Sequence, residues 1–211
     1  MARARITTTN YALLGLLAVR PSWSAYELVG QSQRWLGLLW PRAESKIYES
    51  AKRLAELHLA TAEHVMTGRR RTTVYSITPA GRRALQAWLH QPGAGPALEF
   101  EGAIKLLFAD QAGQDDALAT IDAIQAWASG MRAVGAAIGR EFLASGGGPF
   151  PERLHANTLI NELLLRHTQM VSDWATWARQ QVQTWDGTGP QPHRHQLDLD
   201  TYRRGACLRD P

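Results

Sequence analysis

Three consecutive arginines, Arg69, Arg70 and Arg71, stand a short distance after a segment in which Arg42, Ser45, Lys46, Glu49, Lys52 and Arg53 fall on one side of a helical period. These are the residues of the chain whose types and spacing best suit chemistry, and that chemistry is the holding of anions. A guanidinium is permanently charged and presents a planar fork of donors that matches a phosphate. At a projecting tip it can also enter a narrow minor groove, where the potential is most negative. A charge run by itself is ordinary solvated surface. Beside a basic helix of matching phase, the run sits where a DNA backbone would lie.

The elements that must position these side chains can be read around them. Ile47, Ala51 and Leu54 are spaced four and three apart, and Leu57 follows three later, so one face of a helix over about Arg42–Leu57 is apolar and the basic face is opposite. Pro41 suits the start of that helix, because its missing N–H would be unpaired there. Leu59–Met66 and Thr72–Ile77 are rich in β-branched and aromatic residues and flank Thr67-Gly68, which predicts a hairpin with the arginines at its tip. Thr78-Pro79 then opens a helix over Ala80 to about His90, with Thr78 as cap and Pro79 in its first turn. Upstream, Asn10–Val19 is apolar on most sides and reads as a buried helix. Ser24 and Glu27 form a capping box for another, running to about Ser32, whose N-terminus can approach a DNA backbone. Arg3 and Arg5 read either as a basic arm or as a frayed terminus. Tyr48 reads equally as a core residue or a DNA-facing one.

Residues 8–90 resemble the PadR family of bacterial winged-helix transcription regulators. The resemblance is carried by Ala12-Leu13-Leu14-Gly15-Leu16-Leu17, by Ser24-Ala25-Tyr26-Glu27-Leu28, by Ile47-Tyr48-Glu49-Ser50-Ala51-Lys52-Arg53-Leu54 and by Thr73-Val74-Tyr75-Ser76-Ile77-Thr78-Pro79-Ala80-Gly81. The last motif is shared with other winged-helix groups such as MarR. The chain departs from the family pattern at Ala25 and His58, where glycine is usual. His58 is expected to take a left-handed backbone, at a cost for a residue with a Cβ.

The resemblance implies a mainly α fold with a small β-wing: a winged helix-turn-helix DNA-binding domain over 1–90, a linker at 91–96 (QPGAGP), and a helical dimerisation and effector domain over 97–186. A partly ordered tail over 187–211 completes the expected organisation. Charge agrees with that division. Residues 1–90 carry 13 Lys and Arg against 5 Glu, while residues 91–211 carry 10 against 14 acidic residues. The start MARARITTTN lacks the apolar core of a signal peptide, and no run approaches a membrane span. A cytoplasmic, nucleoid-associated protein with no membrane partner is expected. The lone cysteine, Cys207, excludes an internal disulfide framework. No glycine-rich phosphate loop, nucleophile elbow or metal triad is present, and Glu99 and Glu101 would diverge on a helix, so no enzyme is expected.

In the second half a short helix over Leu98–Ala109 should bury Phe100, Ile104, Leu107 and Phe108. From Asp115 onward, Ala117, Ile121, Ile124, Ala128, Met131, Gly135, Ile138 and Phe142 form a coiled-coil seam. A third helix, about Glu152–Trp185, carries Ile160, Leu163, Leu164, His167, Val171, Trp174 and Ala178 on one face, with Leu159, Met170 and Trp177 on a second edge. The seam has two readings, a homodimer interface or an intramolecular helical pair. The resemblance implies the dimer, built on Ile121, Ile124, Ala128, Met131, Gly135, Ile138, Phe142, Leu163, Leu164 and Val171.

Eight tryptophans are present. Trp127, Trp174 and Trp177, with His167 and Met170, read either as a pocket for a small aromatic effector of the kind PadR relatives answer to, or as core and interface residues. His193, His195, Asp198 and Asp200 in the tail read as a polar extension rather than a metal site, and no cofactor is expected. The expected mechanism is a dimer gripping a pseudo-palindromic operator in double-stranded DNA. Arg42, Ser45 and Lys46 reach base edges in the major groove, Glu49, Arg53 and, in its DNA-facing reading, Tyr48 complete the DNA-binding set, and Arg69, Arg70 and Arg71 hold the flanking backbone or minor groove. Repression, relieved by the effector, is the expected outcome. The competing reading is a winged-helix module that acts through protein partners or ligands without operator specificity.

Overall fold

The computed structural model describes residues 6–68, 70–187, 189 and 191–206, with the backbone alone at Thr67 and Arg70. Arg3, Arg5, Arg69 and Cys207 therefore lie outside the described residues. The chain divides into two compact units, Met1–Pro96 and Ala97–Pro211. Among the described residues, no helix is long and apolar enough to cross a membrane.

The first unit begins with α1 (Thr8–Val19), whose Leu13, Leu14, Leu16 and Leu17 are buried, as an all-round apolar helix should be. Asn10 is buried as well, and its amide donates to the carbonyl of Ser50 across the core at 3.3 Å. A two-residue strand β1 (Trp23–Ser24) leads into α2 (Ala25–Leu36). The capping box forms as its sequence specifies: Ser24 Oγ accepts from the Glu27 N–H at 3.2 Å and Glu27 Oε2 accepts from the Ser24 N–H at 2.8 Å. The helix extends past Ser32 to Leu36.

α3 (Glu44–Glu56) begins two residues later than the proline rule suggests, with Ala43 at its N-cap. The reason is local. Backbone N–H groups of Gly37, Leu39 and Trp40 still bond back onto α2, so the chain leaves that helix only at Trp40, and Pro41–Ala43 bridge to α3. Ile47, Ala51 and Leu54 are buried, as their spacing predicts. The helix ends in a Schellman turn, with the Leu59 N–H on the Leu54 carbonyl and the His58 N–H on that of Ala55, each at 2.9 Å. His58 sits at φ 56°, the left-handed backbone expected for it.

β2 (Ala60–Thr67) and β3 (Arg70–Ile77) pair antiparallel from Ala60↔Ile77 to Thr67↔Arg70, and β1 adds to the other edge of β3. Gly68, at φ +61°, makes the turn. α4 (Pro79–Leu89) is capped by Thr78, whose Oγ1 accepts from the Gly81 N–H at 3.0 Å and donates to the His58 carbonyl at 2.9 Å. Gly81 is needed there, since a Cβ would lie 2.0 Å from the Leu59 carbonyl oxygen. The Thr-Pro-Ala-Gly motif is thus a joint between wing and helix. Tyr11 of α1 and Trp88 of α4 stack at 5.0 Å.

The second unit holds α5 (Glu101–Leu107), α6 (Gln114–Ala144), α7 (Leu154–Val182) and α8 (His195–Ala206). α5 corrects the expectation from sequence. It starts at Glu101, and Ile104, Leu107 and Phe108 are exposed; of the four residues expected inside, only Phe100 is partly covered, edge-on to Trp174. α6 and α7 form an antiparallel pair around Ala117, Ile121, Ile124, Ala128, Val171, Ala175, Ala178 and Val182. Polar bonds hold it in register: Gln114 donates to the Val182 carbonyl at 2.7 Å, Arg132 to Ser172 Oγ at 2.8 Å, and Arg179 pairs with Asp122. The tail, read as a polar extension, folds into α8. Arg194, just before it, is buried and bonded to Thr184, Gln181 and Asp198.

Candidate nucleic-acid interface

The outward face of α3 carries the residues singled out by type and spacing. Ser45, Lys46, Glu49, Lys52 and Arg53 are all exposed. Tyr48 is 41% exposed, which places it on the outer face rather than in the core. Two of the cations are offset within the helix, Lys46 by Glu49 at 2.7 Å and Arg53 by Glu56 at 3.0 Å. Lys52 and Arg42 have no carboxylate of a described residue in ion-pair range, so their charge is available. Arg42 precedes α3 rather than occupying its first turn. Its guanidinium lies 4.2 Å from the ring centre of Trp40 and donates to the Pro41 carbonyl at 2.6 Å.

On the wing, Arg70 and Arg71 belong to β3, paired with Thr67 and Met66, rather than to the turn as the sequence suggested; Arg70 is the first paired residue after the turn, and Arg71 is exposed. Arg69 lies outside the described residues. Tyr26, in the first turn of α2, is almost fully solvent-facing. Next to it the capping box is tightened by Arg20, whose Nη2 is 2.7 Å from Glu27 Oε1. The bond from Ser24, and then Arg20, hold the Glu27 carboxyl down at about 2.

No protein-family model matches the sequence, and no curated protein does. Solved structures do match. Bacillus subtilis PadR in complex with operator DNA aligns with a TM-score of 0.68 at 19% identity, covering 83% of this chain and 99% of that one. The same protein in complex with p-coumaric acid aligns at 0.65 and 19%, covering 87% and 100%. The chain has the PadR fold. The PadR-like transcriptional regulator BC1756 of Bacillus cereus aligns at 0.66 with 14% identity, covering 83% and 98%, and the Vibrio cholerae virulence activator AphA at 0.59 with 20%, covering 83% and 98%. Each of these alignments takes in more than four fifths of this chain, so each reaches into both units.

The residues expected to meet a partner copy separate into two groups. Ile121, Ile124, Ala128 and Val171 are sealed between α6 and α7 of the same chain, so over that stretch the seam closes internally. Met131, Gly135, Ile138, Phe142 and Leu164 are half-buried and Leu163 is exposed. Toward the end of α6 and the start of α7 the pair leaves Val134, Leu143, Leu159, Ile160, Leu163 and Leu165 open.

The residues expected to hold an effector separate too. Trp127 and His167 meet edge to face at 6.2 Å, and Trp174 meets Phe100 at 5.8 Å. Met170 and Trp177 are exposed. Trp127 lines an open groove of about 600 Å³ between α5 and α6, with Phe100, Lys105, Thr120 and Ile124 among its walls. Phe100 and Lys105 were not expected there from sequence; the spacing of Phe100 from the tryptophans along the chain gives no sign that they meet. In the tail, Asp198 and Asp200 are engaged by Arg194 and Arg203, and among the described residues no three His, Cys, Asp or Glu side chains cluster as metal ligands.

Proposed function

We propose that the chain is a sequence-specific DNA-binding transcriptional regulator of the PadR family that acts as a homodimer on a pseudo-palindromic operator. The observation that carries this is the exposed α3 face, with the uncompensated charges of Arg42 and Lys52 beside a wing that ends in arginines, on a fold whose B. subtilis example is bound to operator DNA. α3 enters the major groove with Ser45, Lys46, Tyr48 and Glu49 toward the bases. Arg53, Arg70 and Arg71, with Arg69, hold phosphates.

A second copy packs on the open apolar face of the α6–α7 pair, around Leu159 and Leu163. Two-fold symmetry then sets two α3 helices about 34–36 Å apart, one turn of DNA. The groove beside Trp127 takes a small aromatic effector, in keeping with the p-coumaric acid complex of B. subtilis PadR. Its binding lowers DNA affinity. Repression follows from occupancy of a promoter, and the position of the operator sets the sign: AphA, which shares the fold, is an activator.

A gel shift tests the reading. Purified protein is titrated onto DNA upstream of its own gene with excess random competitor. A discrete complex that survives competition, with footprints one helical turn apart, is the expected result. A smear that competitor abolishes on every promoter fragment tried would overturn operator specificity.

A further inference from the structure

We infer that Trp40 is a positioning residue that holds Arg42 as a phosphate contact at the entrance to α3, an inference that rests on the DNA-binding reading above. Among the described residues, the first unit shows two arginine–tryptophan stacks, and their difference makes the case. In one, the Arg20 guanidinium lies 3.7 Å from the ring centre of Trp23 and is ion-paired with Glu27 at 2.7 Å, with the Ser22 carbonyl at 2.8 Å. The charge of that arginine is offset by a carboxylate of its own chain. In the other, Arg42 lies 4.2 Å over Trp40, and its hydrogen bond goes to the adjacent Pro41 carbonyl. No carboxylate of a described residue offsets it, whereas Lys46 and Arg53 are each offset by a glutamate on α3. The remaining N–H groups of Arg42 face solvent with a full charge.

Trp40 is itself tied down. Its indole Nε1 donates to Thr9 Oγ1 at 3.0 Å, which ties the ring to α1. Its backbone N–H bonds to the Leu36 carbonyl at the end of α2. A large ring left on the surface thus becomes a shelf for a guanidinium. An arginine stacked in advance loses less freedom when it meets a phosphate, and the ring's quadrupole holds the cation without neutralising it. Arg42 also stands before the N-cap Ala43 and folds back over the loop. It is therefore placed at the flank of the groove rather than against base edges, and a contact there is independent of sequence.

The test is affinity by fluorescence anisotropy, using the full chain, a labelled random-sequence duplex and the upstream DNA, across a salt series. Arg42→Ala should weaken both duplexes by the same factor and lower the salt slope by about one. Trp40→Leu should weaken both about two- to fivefold, the factor an exposed cation–π contact supplies. Trp40→Phe should restore most of that loss. In the Arg42→Ala background, Trp40→Leu should change nothing further. Thr9→Val, which leaves the stack in place and frees the ring, should give a smaller loss of the same kind. Additive losses for Trp40→Leu and Arg42→Ala, or a loss for Arg42→Ala confined to the upstream DNA, would overturn the inference. Unchanged affinity for Trp40→Leu beside a normally binding wild type would remove the positioning role alone. A wild type that binds neither duplex would remove the DNA-binding reading and this one with it.

Discussion

The two units differ in what they leave uncovered. In the winged unit the large apolar residues that face inward are sealed, with Leu13, Leu14, Leu17 and Leu54 at 0% exposure, and the outer face of α3 is charged. In the helical unit the α6–α7 contact around Ile121 and Ala175 is sealed as well, yet Leu143 is 85% exposed, Leu107 73% and Leu159 72%. The first unit closes its core within one chain and, although Tyr26, Met66 and Leu89 are exposed, turns charge outward on α3, as a surface for a polyanion does. The second closes half a core and turns hydrocarbon outward, as a surface for a second protein copy does. On the proposed function, one chain is divided between a face for DNA and a face for itself.

That contrast can be broken at its strongest point by core truncation. Leu54→Ala, on the inner face of α3, should cost about 2–5 kcal/mol and lower the melting temperature accordingly, while Leu159→Ala should leave the monomer within about 0.5 kcal/mol of wild type. Comparable losses at both sites in a thermal melt would mean that the two faces are not different in kind. Next in size is association. Leu159→Asp combined with Leu163→Asp should weaken the proposed dimer at least about a hundredfold, near 2.7 kcal/mol, in sedimentation equilibrium, with helicity by circular dichroism unchanged. An unaltered dimer would place the interface elsewhere.

Smaller effects sharpen the winged side. His58 holds a left-handed backbone at the end of α3, so His58→Gly should stabilise the protein by about 1 kcal/mol in urea denaturation. A loss of stability would mean that the imidazole contributes more than the strain costs. Glu27 gives a pH signature. Its carboxyl is held from an ordinary 4.5 down to about 2 by Ser24 and Arg20. A folded-state value below the unfolded one gives stability that is complete above pH 4.5 and lost as the pH falls toward 2. The advantage of wild type over Glu27→Gln should therefore shrink across that window. With about half its side-chain surface exposed, the effect stays under about 1 kcal/mol. A gap that widens on acidification would contradict the assignment.

What could be read from residues alone was what depends on neighbours in the chain. Ser24 with Glu27, Thr78 with Pro79, and the β-branched runs around Gly68 each specify a local structure, and the caps and hairpin formed accordingly. The left-handed His58 was legible for the same reason. α5 was misread because periodicity marks an apolar stripe without saying what covers it, and there Ile104 and Leu107 are exposed. α8 was missed because polar sequence after Gly187 and Gly189 reads as open chain. Its docking hangs on Arg194, whose partners at Gln181 and Thr184 lie on another segment. At the candidate interface the basic face of α3 was legible from its phase. The placement of Arg42 was not, because Trp40 meets it through a loop anchored on Thr9, 31 residues away in sequence.

The most direct measurement of the central claim is the salt dependence of duplex affinity for the full chain, alongside a variant with Arg69, Arg70 and Arg71 all changed to alanine. If the α3 face and the wing form a phosphate-gripping surface, the affinity of wild type should fall linearly in log–log form as salt rises, with a slope of several. The variant should bind random and upstream DNA more weakly by similar factors, with a flatter slope, lower by roughly 0.9 for each phosphate it no longer neutralises. A wild-type affinity that ignores salt, or a variant indistinguishable from wild type, would contradict it.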